Sequence, residues 1–283
     1  MTPGRLDLHL HTTASDGLLS PSQLVREAAA RGVSLLALTD HDTTEGIAEG
    51  RAEASRLGLT LVPGVELSAD SPDRDIHFLG YFLDPDDAAL QASLRSLRVS
   101  RTLRNHEILA RLAALGAPLS HDRLLQIAGP GSVGRPHIAA ALVEAGHVTS
   151  QTEAFSRYLA RGKPAFVLRR PLSPARACAI IKAAGGLAVL AHPAKLGSLP
   201  LVSSLVEAGL DGLEAFHPDH SAKNIESFVS FARERSLLIT GGTDSHGPYS
   251  ERPVSVGSVA IPAWVGEEFL AAAPAWWRPA GTA

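Results

Sequence analysis

Short apolar runs alternate along the chain with amphipathic segments of helical period. The strand-like runs fall at Leu6–Leu10, Leu35–Thr39, Thr60–Leu67, Asp75–Phe82, Leu187–Ala191, Gly212–Phe216 and Leu237–Gly242, and they predict seven strands. Between the first two, Pro21 to Arg31 reads as a helix: Ser20 caps it, proline takes the first helical position and Gly32 closes it. Similar helices fit Thr44–Leu57, Pro174–Ala184, Leu199–Ala208 and Ala222–Arg235. Repeated β-then-α units with short turns predict parallel strands in an α/β fold, in an arrangement closest to a barrel.

The rhythm breaks after Phe82. From about Asp84 to Arg161 helical periodicity replaces the strand-like runs, carried by Leu90, Leu94 and Leu97, then by Ile108, Leu109, Leu112 and Leu115, and later by Ile138 to Val143. This divides the chain into a barrel, residues 1–83 and 162–283, and an inserted helical subdomain, residues 84–161. Between Gln91 and His137 the insertion holds seven arginines (95, 98, 101, 104, 111, 123 and 135) against Glu107 and Asp122. Two readings stand for this excess: a basic surface facing a substrate, or a solvated helix face, because an i, i+3 spacing spreads the first four around the helix.

With 283 residues, the chain can bury a sizeable core. Hydrophobic content of 45% with 19% charged residues is that of an ordinary soluble enzyme. No apolar stretch approaches the roughly 20 residues of a membrane span, so no membrane partner is expected. Cys178 is the sole cysteine and no secretory leader precedes the first run, which gives a cytoplasmic expectation. A formal charge of -3 offers no long basic track, so no stable long nucleic-acid partner is expected.

The first run also carries chemistry. Side chains alternate along a strand, so Leu6, Leu8 and Leu10 share one face while Asp7, His9 and His11 share the other. A single histidine there would ordinarily be a satisfied core residue. Two in alternation, with Asp16 and His41 nearby in the sequence, point to a metal site instead. More candidate ligands recur at the ends of later runs: Glu66, His192, Asp244 and His246, with His77 inside its run. A parallel barrel gathers the C-terminal ends of its strands into one cup, which would bring these residues together. Nine ligands, six imidazoles and three carboxylates, exceed the four that a tetrahedral zinc takes and suit two or three divalent ions, with Glu66 as a bridge. The mixed nitrogen and oxygen set favours manganese, iron or zinc over magnesium or calcium. Asp7 and Asp40 either orient ligand imidazoles or cap strand ends.

In order, His9-x-His11, Asp16, Thr39-Asp40-His41, Gly64-x-Glu66, His77, Ala191-His192-Pro193 and Thr243-Asp244-Ser245-His246 resemble the motifs of the PHP (polymerase and histidinol phosphatase) family. The resemblance covers nearly the whole chain and implies a distorted (β/α)7 TIM-like barrel with a trinuclear metal centre. The insertion, with Gly134-Arg135-Pro136-His137 and Gly162-Lys163-Pro164, looks like the stand-alone branch that includes nucleoside 3',5'-bisphosphate phosphatases and a 5'-to-3' exoribonuclease. The implied activity is metal-dependent hydrolysis of phosphate esters of nucleotides or short oligonucleotides by a metal-activated hydroxide, with the insertion capping the barrel mouth.

For the substrate, Arg135 leads because a planar guanidinium suits bidentate phosphate binding, followed by Lys163, Arg101 and Arg104. His137 or His217 is placed to protonate the leaving group, although His217 reads equally as a strand-end surface residue. Three rivals remain. A histidinol-phosphate-type phosphatase fits the basic insertion less well than a substrate with several phosphates does. An amidohydrolase needs a bridging modified lysine, and Lys163, Lys182 and Lys195 come too late. A noncatalytic module of a replication polymerase would not need every ligand intact.

Overall fold

The structure, a computed structural model, describes residues 5–71, 74–129, 131–168, 172–197, 199–248 and 253–279. Among them seven strands form one mixed sheet in chain order: β1 (Arg5–Leu10), β2 (Val33–Leu38), β3 (Thr60–Ser71), β4 (Arg74–Tyr81), β5 (Leu187–Leu190), β6 (Gly212–Phe216) and β7 (Leu238–Gly241). The described helices are α1 (Pro21–Ala30), α2 (Ile47–Leu57), α3 (Ala88–Ala114), α4 (His121–Ala128), α5 (Arg135–Glu144), α6 (Gln151–Ala154), α7 (Pro174–Ala183), α8 (Leu199–Glu207), α9 (Ala222–Glu234) and α10 (Ala263–Ala271). A π-turn, Phe155–Leu159, extends α6, and a 3₁₀ turn, Pro193–Leu196, follows β5.

The helix signals act as read. Gln23 N donates to the Ser20 hydroxyl at 3.3 Å while Ser20 N donates to the Gln23 side chain at 2.9 Å, a reciprocal cap worth about 1 kcal/mol. That fixes the start of α1 so that Leu24, Val25 and Ala28 meet Leu36, Leu38 and Ile47 in one buried cluster.

The expectation of parallel strands throughout is corrected at β4. This strand runs antiparallel to both β3 and β5, pairing Gly64 with Tyr81 and Ser71 with Arg74 along the hairpin. A return to a parallel strand needs a crossover of a dozen or more residues, and only residues 72 and 73 separate β3 from β4. At the sheet's two ends, Leu10 and Ser245 form a parallel bridge just beyond β7, and His11 N donates to Ser245 O at 3.0 Å.

The helices α3 to α5 and the π-turn share their own apolar core, in which Ile108 and Leu112 meet Leu124, Ile138, Leu142 and Leu159. Arg101 and Arg104 are each only 6% exposed, so the solvated-face reading fails for them. Arg101 pairs with Asp42 in the turn beyond β2, Arg98 Nη1 donates to Asp42 O at 3.1 Å, and Arg104 Nε donates to Val167 O at 2.8 Å. Helical spacing shows which residues share a stripe; it does not show which stripe another element will cover. Among the described residues no helix is long and apolar enough to cross a membrane.

Candidate metal centre

Glu66 stands where β3 leaves β2 and begins to pair with β4, and its two oxygens face different imidazoles. Oε2 lies 3.4 Å from His9 Nε2, 3.2 Å from His11 Nε2 and 3.1 Å from His41 Nδ1. Oε1 lies 2.7 Å from His77 Nδ1 and 3.3 Å from His192 Nε2. The strands produce this directly. His9 is in β1 and His11 one residue past it, while a parallel bridge beyond β2 sets His41 beside Glu66. In the hairpin Glu66 pairs with Leu79 and Ser68 with His77, so His77 is a diagonal neighbour on the same face.

A second cluster adjoins the first. Asp16 Oδ1 lies 3.3 Å from His246 Nε2 and 3.7 Å from His11 Nδ1, and its Oδ2 lies 3.8 Å from His41 Nε2. Asp244 Oδ1 lies 3.3 Å from His9 Nε2 and 3.2 Å from His11 Nε2. All nine residues singled out from the sequence thus converge into three groups: His11, Asp16, His41 and His246; His9, His11, Glu66 and Asp244; and Glu66, His77 and His192. Within each group the facing atoms lie within 4.8 Å of one another.

The donor chemistry fits divalent ions. Buried His9 Nε2, both His11 nitrogens, Asp16 Oδ1, His41 Nδ1 and Glu66 Oε2 have no hydrogen-bond partner. Each such atom costs about 1–3 kcal/mol, a penalty that ligation would offset. Burial pulls His41 down to about 3 and His192 down to about 4, towards the neutral form that binds a metal. Burial opposes ionisation of Glu66, but the imidazoles gathered around its two oxygens hold its carboxyl well below the ordinary range.

Other carboxylates hold the backbone that delivers these groups. Asp40 accepts from Thr12 N at 2.7 Å, from Thr12 Oγ1 at 2.7 Å and from Ser15 Oγ at 2.6 Å, which fixes the loop leading to Asp16. Asp7 accepts from Thr243 N at 2.9 Å, Thr243 Oγ1 at 2.7 Å and Gly257 N at 2.8 Å, next to Asp244. Both therefore act as strand-end caps, the second of the two readings. The imidazole is oriented by Glu214 on β6, which sequence reasoning missed: its Oε1 lies 3.0 Å from His9 Nδ1, and its Oε2 accepts from His192 N at 2.8 Å. A lone acidic residue within the apolar run Gly212–Phe216 was the one hint, and it did not name its partner.

Close approach and strain complete the geometry. A Cβ on Gly242 would stand 2.4 Å from His9 Cβ, so only glycine lets the chain beyond β7 pass His9. Asp42, His192 and Asp244 hold left-handed φ values of 56°, 32° and 53°, each costing about 1–3 kcal/mol and all located around the cluster.

A cavity of about 510 Å³ opens beside the cluster. Asp16, Asp244 and His246 line it together with Lys195, His137 and His217, and Leu18, Ile127, Pro136, Ala140 and Phe155 supply an apolar wall. His217 is 2% exposed, so it is no surface residue. Asp219 N donates to His217 Nδ1 at 3.1 Å and Gly134 N donates to His137 Nδ1 at 3.0 Å. Each neutral ring therefore carries its proton on Nε2. Arg101, Arg104, Arg135 and Lys163 are not among the residues that line the cavity. Arg135 is paired with Asp75 at 2.7 Å and Lys163 is exposed on a turn. Lys195 lines the cavity and was not singled out from the sequence; its place three residues beyond His192 was the only hint.

Residues 7–149 match the family model described as the PHP domain. A 3',5'-nucleoside bisphosphate phosphatase of Chromobacterium violaceum is 36% identical over 252 residues, covering 86% of this chain and 87% of that protein. A 5'-3' exoribonuclease of Haemophilus influenzae is 37% identical over 249 residues, covering 86% of this chain and 90% of that protein. The solved structure of an amidohydrolase from Chromobacterium violaceum, with bound sulfate and no metal, superposes with a TM-score of 0.84 at 34% identity, covering 94% and 96% of the two chains.

Proposed function

We propose that this chain, which belongs to the PHP domain family and is a hydrolase of phosphate esters, removes phosphate from nucleotides, acting on nucleoside 3',5'-bisphosphates or on the 5' ends of short oligonucleotides. The observation that carries this reading is the convergence of nine imidazole and carboxylate groups around Glu66 at the edge of a 510 Å³ cavity with an apolar wall. In this reading residues 1–83 and 162–283 form a (β/α)7 barrel closed between β1 and β7, and residues 84–161 cap its mouth.

His9, His11, Asp16, His41, Glu66, His77, His192, Asp244 and His246 would hold two or three divalent ions, manganese first, with iron or zinc as the other candidates. Bound ions supply a lowered pKa for water and charge neutralisation for phosphoryl oxygens. Glu66 has two oxygens to share between ions, whereas a neutral His11 ring has one lone pair and serves one ion. The chain's own part is placement. The Nε2–H groups of His217 and His137 donate into the cavity, where either can meet the leaving oxygen. Burial pulls His137 below its ordinary range, which keeps it neutral at physiological pH. The apolar wall takes the organic part of the ester and excludes water; Arg135, paired with Asp75 outside the cavity lining, would reach a second phosphate only by leaving that carboxylate.

One observation favours a smaller substrate. Lys195 is the only lysine or arginine among the described cavity residues, which suits a single phosphate, as in a histidinol-phosphate-type metabolite. Chelated and manganese-reconstituted protein assayed side by side on adenosine 3',5'-bisphosphate, a short 5'-phosphorylated RNA and histidinol phosphate decides between them. Equal turnover with and without metal on every ester removes the whole reading. A strong preference for histidinol phosphate replaces the nucleotide.

A further inference from the structure

We infer that Lys195 is the residue that grips the substrate's phosphate at the mouth of the cavity, an inference that rests on the phosphoesterase reading and names the cation it lacks. His192 adopts a left-handed φ of 32°, turns the chain into Pro193–Leu196 and accepts from Lys195 N at 3.0 Å. That turn brings the Lys195 side chain to the cavity's rim, 46% exposed, where Nζ stands 3.6 Å from Asp244 Oδ2 and 3.9 Å from Asp219 Oδ2. Both separations are long for a hydrogen bond and leave room for a third group at the ammonium.

Asp244 divides the space. Its Oδ1 faces His9 and His11, while its Oδ2 faces Lys195 Nζ and His217 Nε2, each at 3.6 Å. His217 Nε2 is buried and has no hydrogen-bond partner, and it carries that ring's proton because Nδ1 accepts from Asp219 N. Two donors of different kinds therefore meet at Asp244 Oδ2, at the edge of the nine-residue cluster, since the His217 ring also lies 5.6 Å from that of His192. An anion with several oxygens fits there. A carboxylate-lined floor would repel it unless a fixed positive charge stood alongside, and Lys195 supplies that charge. An ammonium on a flexible stem suits a phosphoryl group that must be held and then released. The apolar wall of Ile127, Ala140 and Phe155 lines the same cavity, so Lys195 also sets which end of the ester enters first.

The test compares wild type with Lys195→Ala and Lys195→Arg, all loaded with manganese. Inorganic phosphate is titrated calorimetrically, and nitrophenyl phosphate turnover is measured across substrate concentration. Lys195→Ala is expected to weaken phosphate binding and to raise KM by roughly 10- to 150-fold, the range of a charge-assisted hydrogen bond, with kcat changed much less. Lys195→Arg should recover most of both, with metal content equal in all three proteins. Unchanged phosphate affinity in Lys195→Ala, or a loss seen only in kcat, overturns the assignment. Wild-type protein that turns over no phosphate ester overturns the phosphoesterase reading instead, and the calorimetric titration still judges Lys195.

Discussion

Arg135, the first residue of α5, donates through Nη2 to Asp75 Oδ2 at 2.7 Å, and Asp75 stands two residues before His77 on β4. Side chains two apart on a strand share a face, so the insertion is tied to the sheet on the side where His77 meets Glu66. Arg161 Nη2 reaches the same carboxylate at 3.2 Å. Arg135→Ala is expected to leave metal content intact and to lower kcat/KM for nucleotides by roughly 10- to 150-fold, with a smaller loss for nitrophenyl phosphate. Metal loss, or equal impairment on every ester, would assign Arg135 to holding α5 against β4.

Glu66 faces five imidazoles through two oxygens, and a glutamine offers one neutral carbonyl oxygen in their place. Glu66→Gln should lose bound metal on dialysis and fall to background turnover. Elemental analysis together with the phosphatase assay checks both, and a variant that kept full metal and full activity would exclude Glu66 as the shared ligand.

The strands and the nine convergent residues were legible because each signal is local. Period-two apolar runs mark strands, and histidines or carboxylates at their ends mark one rim of a sheet. The reversed β4 was misread as one more parallel strand, although the gap from Leu67 to Asp75 is too short for a crossover. Glu214 was not legible, since its meaning lies in contact with His9, 205 positions away. Nor was the fate of Arg101 and Arg104, because helical spacing does not say that Asp42 and Val167 will cover that stripe. Lys195 became meaningful only once the turn after β5 set it beside Asp244.

Glu214 predicts a separation of affinity from ligand identity. Its carboxylate fixes the ring of His9 and the backbone of His192 without joining any of the three groups. Glu214→Gln should weaken metal affinity by roughly 10- to 100-fold, as loss of a ligand-orienting partner does, while saturating metal restores activity. Competition with a chromophoric chelator measures the shift. An unchanged affinity would make Glu214 a packing residue.

Glu53 on α2 gives a pH dependence remote from the site. Arg56 and then Arg26, at 2.7 and 2.6 Å from Oε1, hold its carboxyl down at about 2. Its folded-state pKa is depressed, so its stabilisation is complete above the ordinary carboxyl range and is lost as pH falls through about 2. The melting-temperature gap between wild type and Glu53→Gln should be constant from about pH 6 upward and narrow between about pH 5 and pH 3. A gap that widened on acidification would reverse the sign and refute the pairing.

Asp7 separates holding the fold from tuning the site. It is fully buried and accepts from Thr243 twice and from Gly257 once, joining β1 to the segment that carries Asp244. Asparagine keeps the shape but has one acceptor oxygen, and its amide would point donors at donors. Leaving such groups unsatisfied costs about 1–3 kcal/mol each, so Asp7→Asn should lower unfolding stability by at least that order. Because the contacts are to backbone and hydroxyl rather than to an imidazole, the loss should be equally large in chelated and in metal-loaded protein. Denaturant melts of both forms read it directly. A variant as stable as wild type when chelated, yet weaker in metal affinity, would show that Asp7 acts on the ligands and that the cap is incidental.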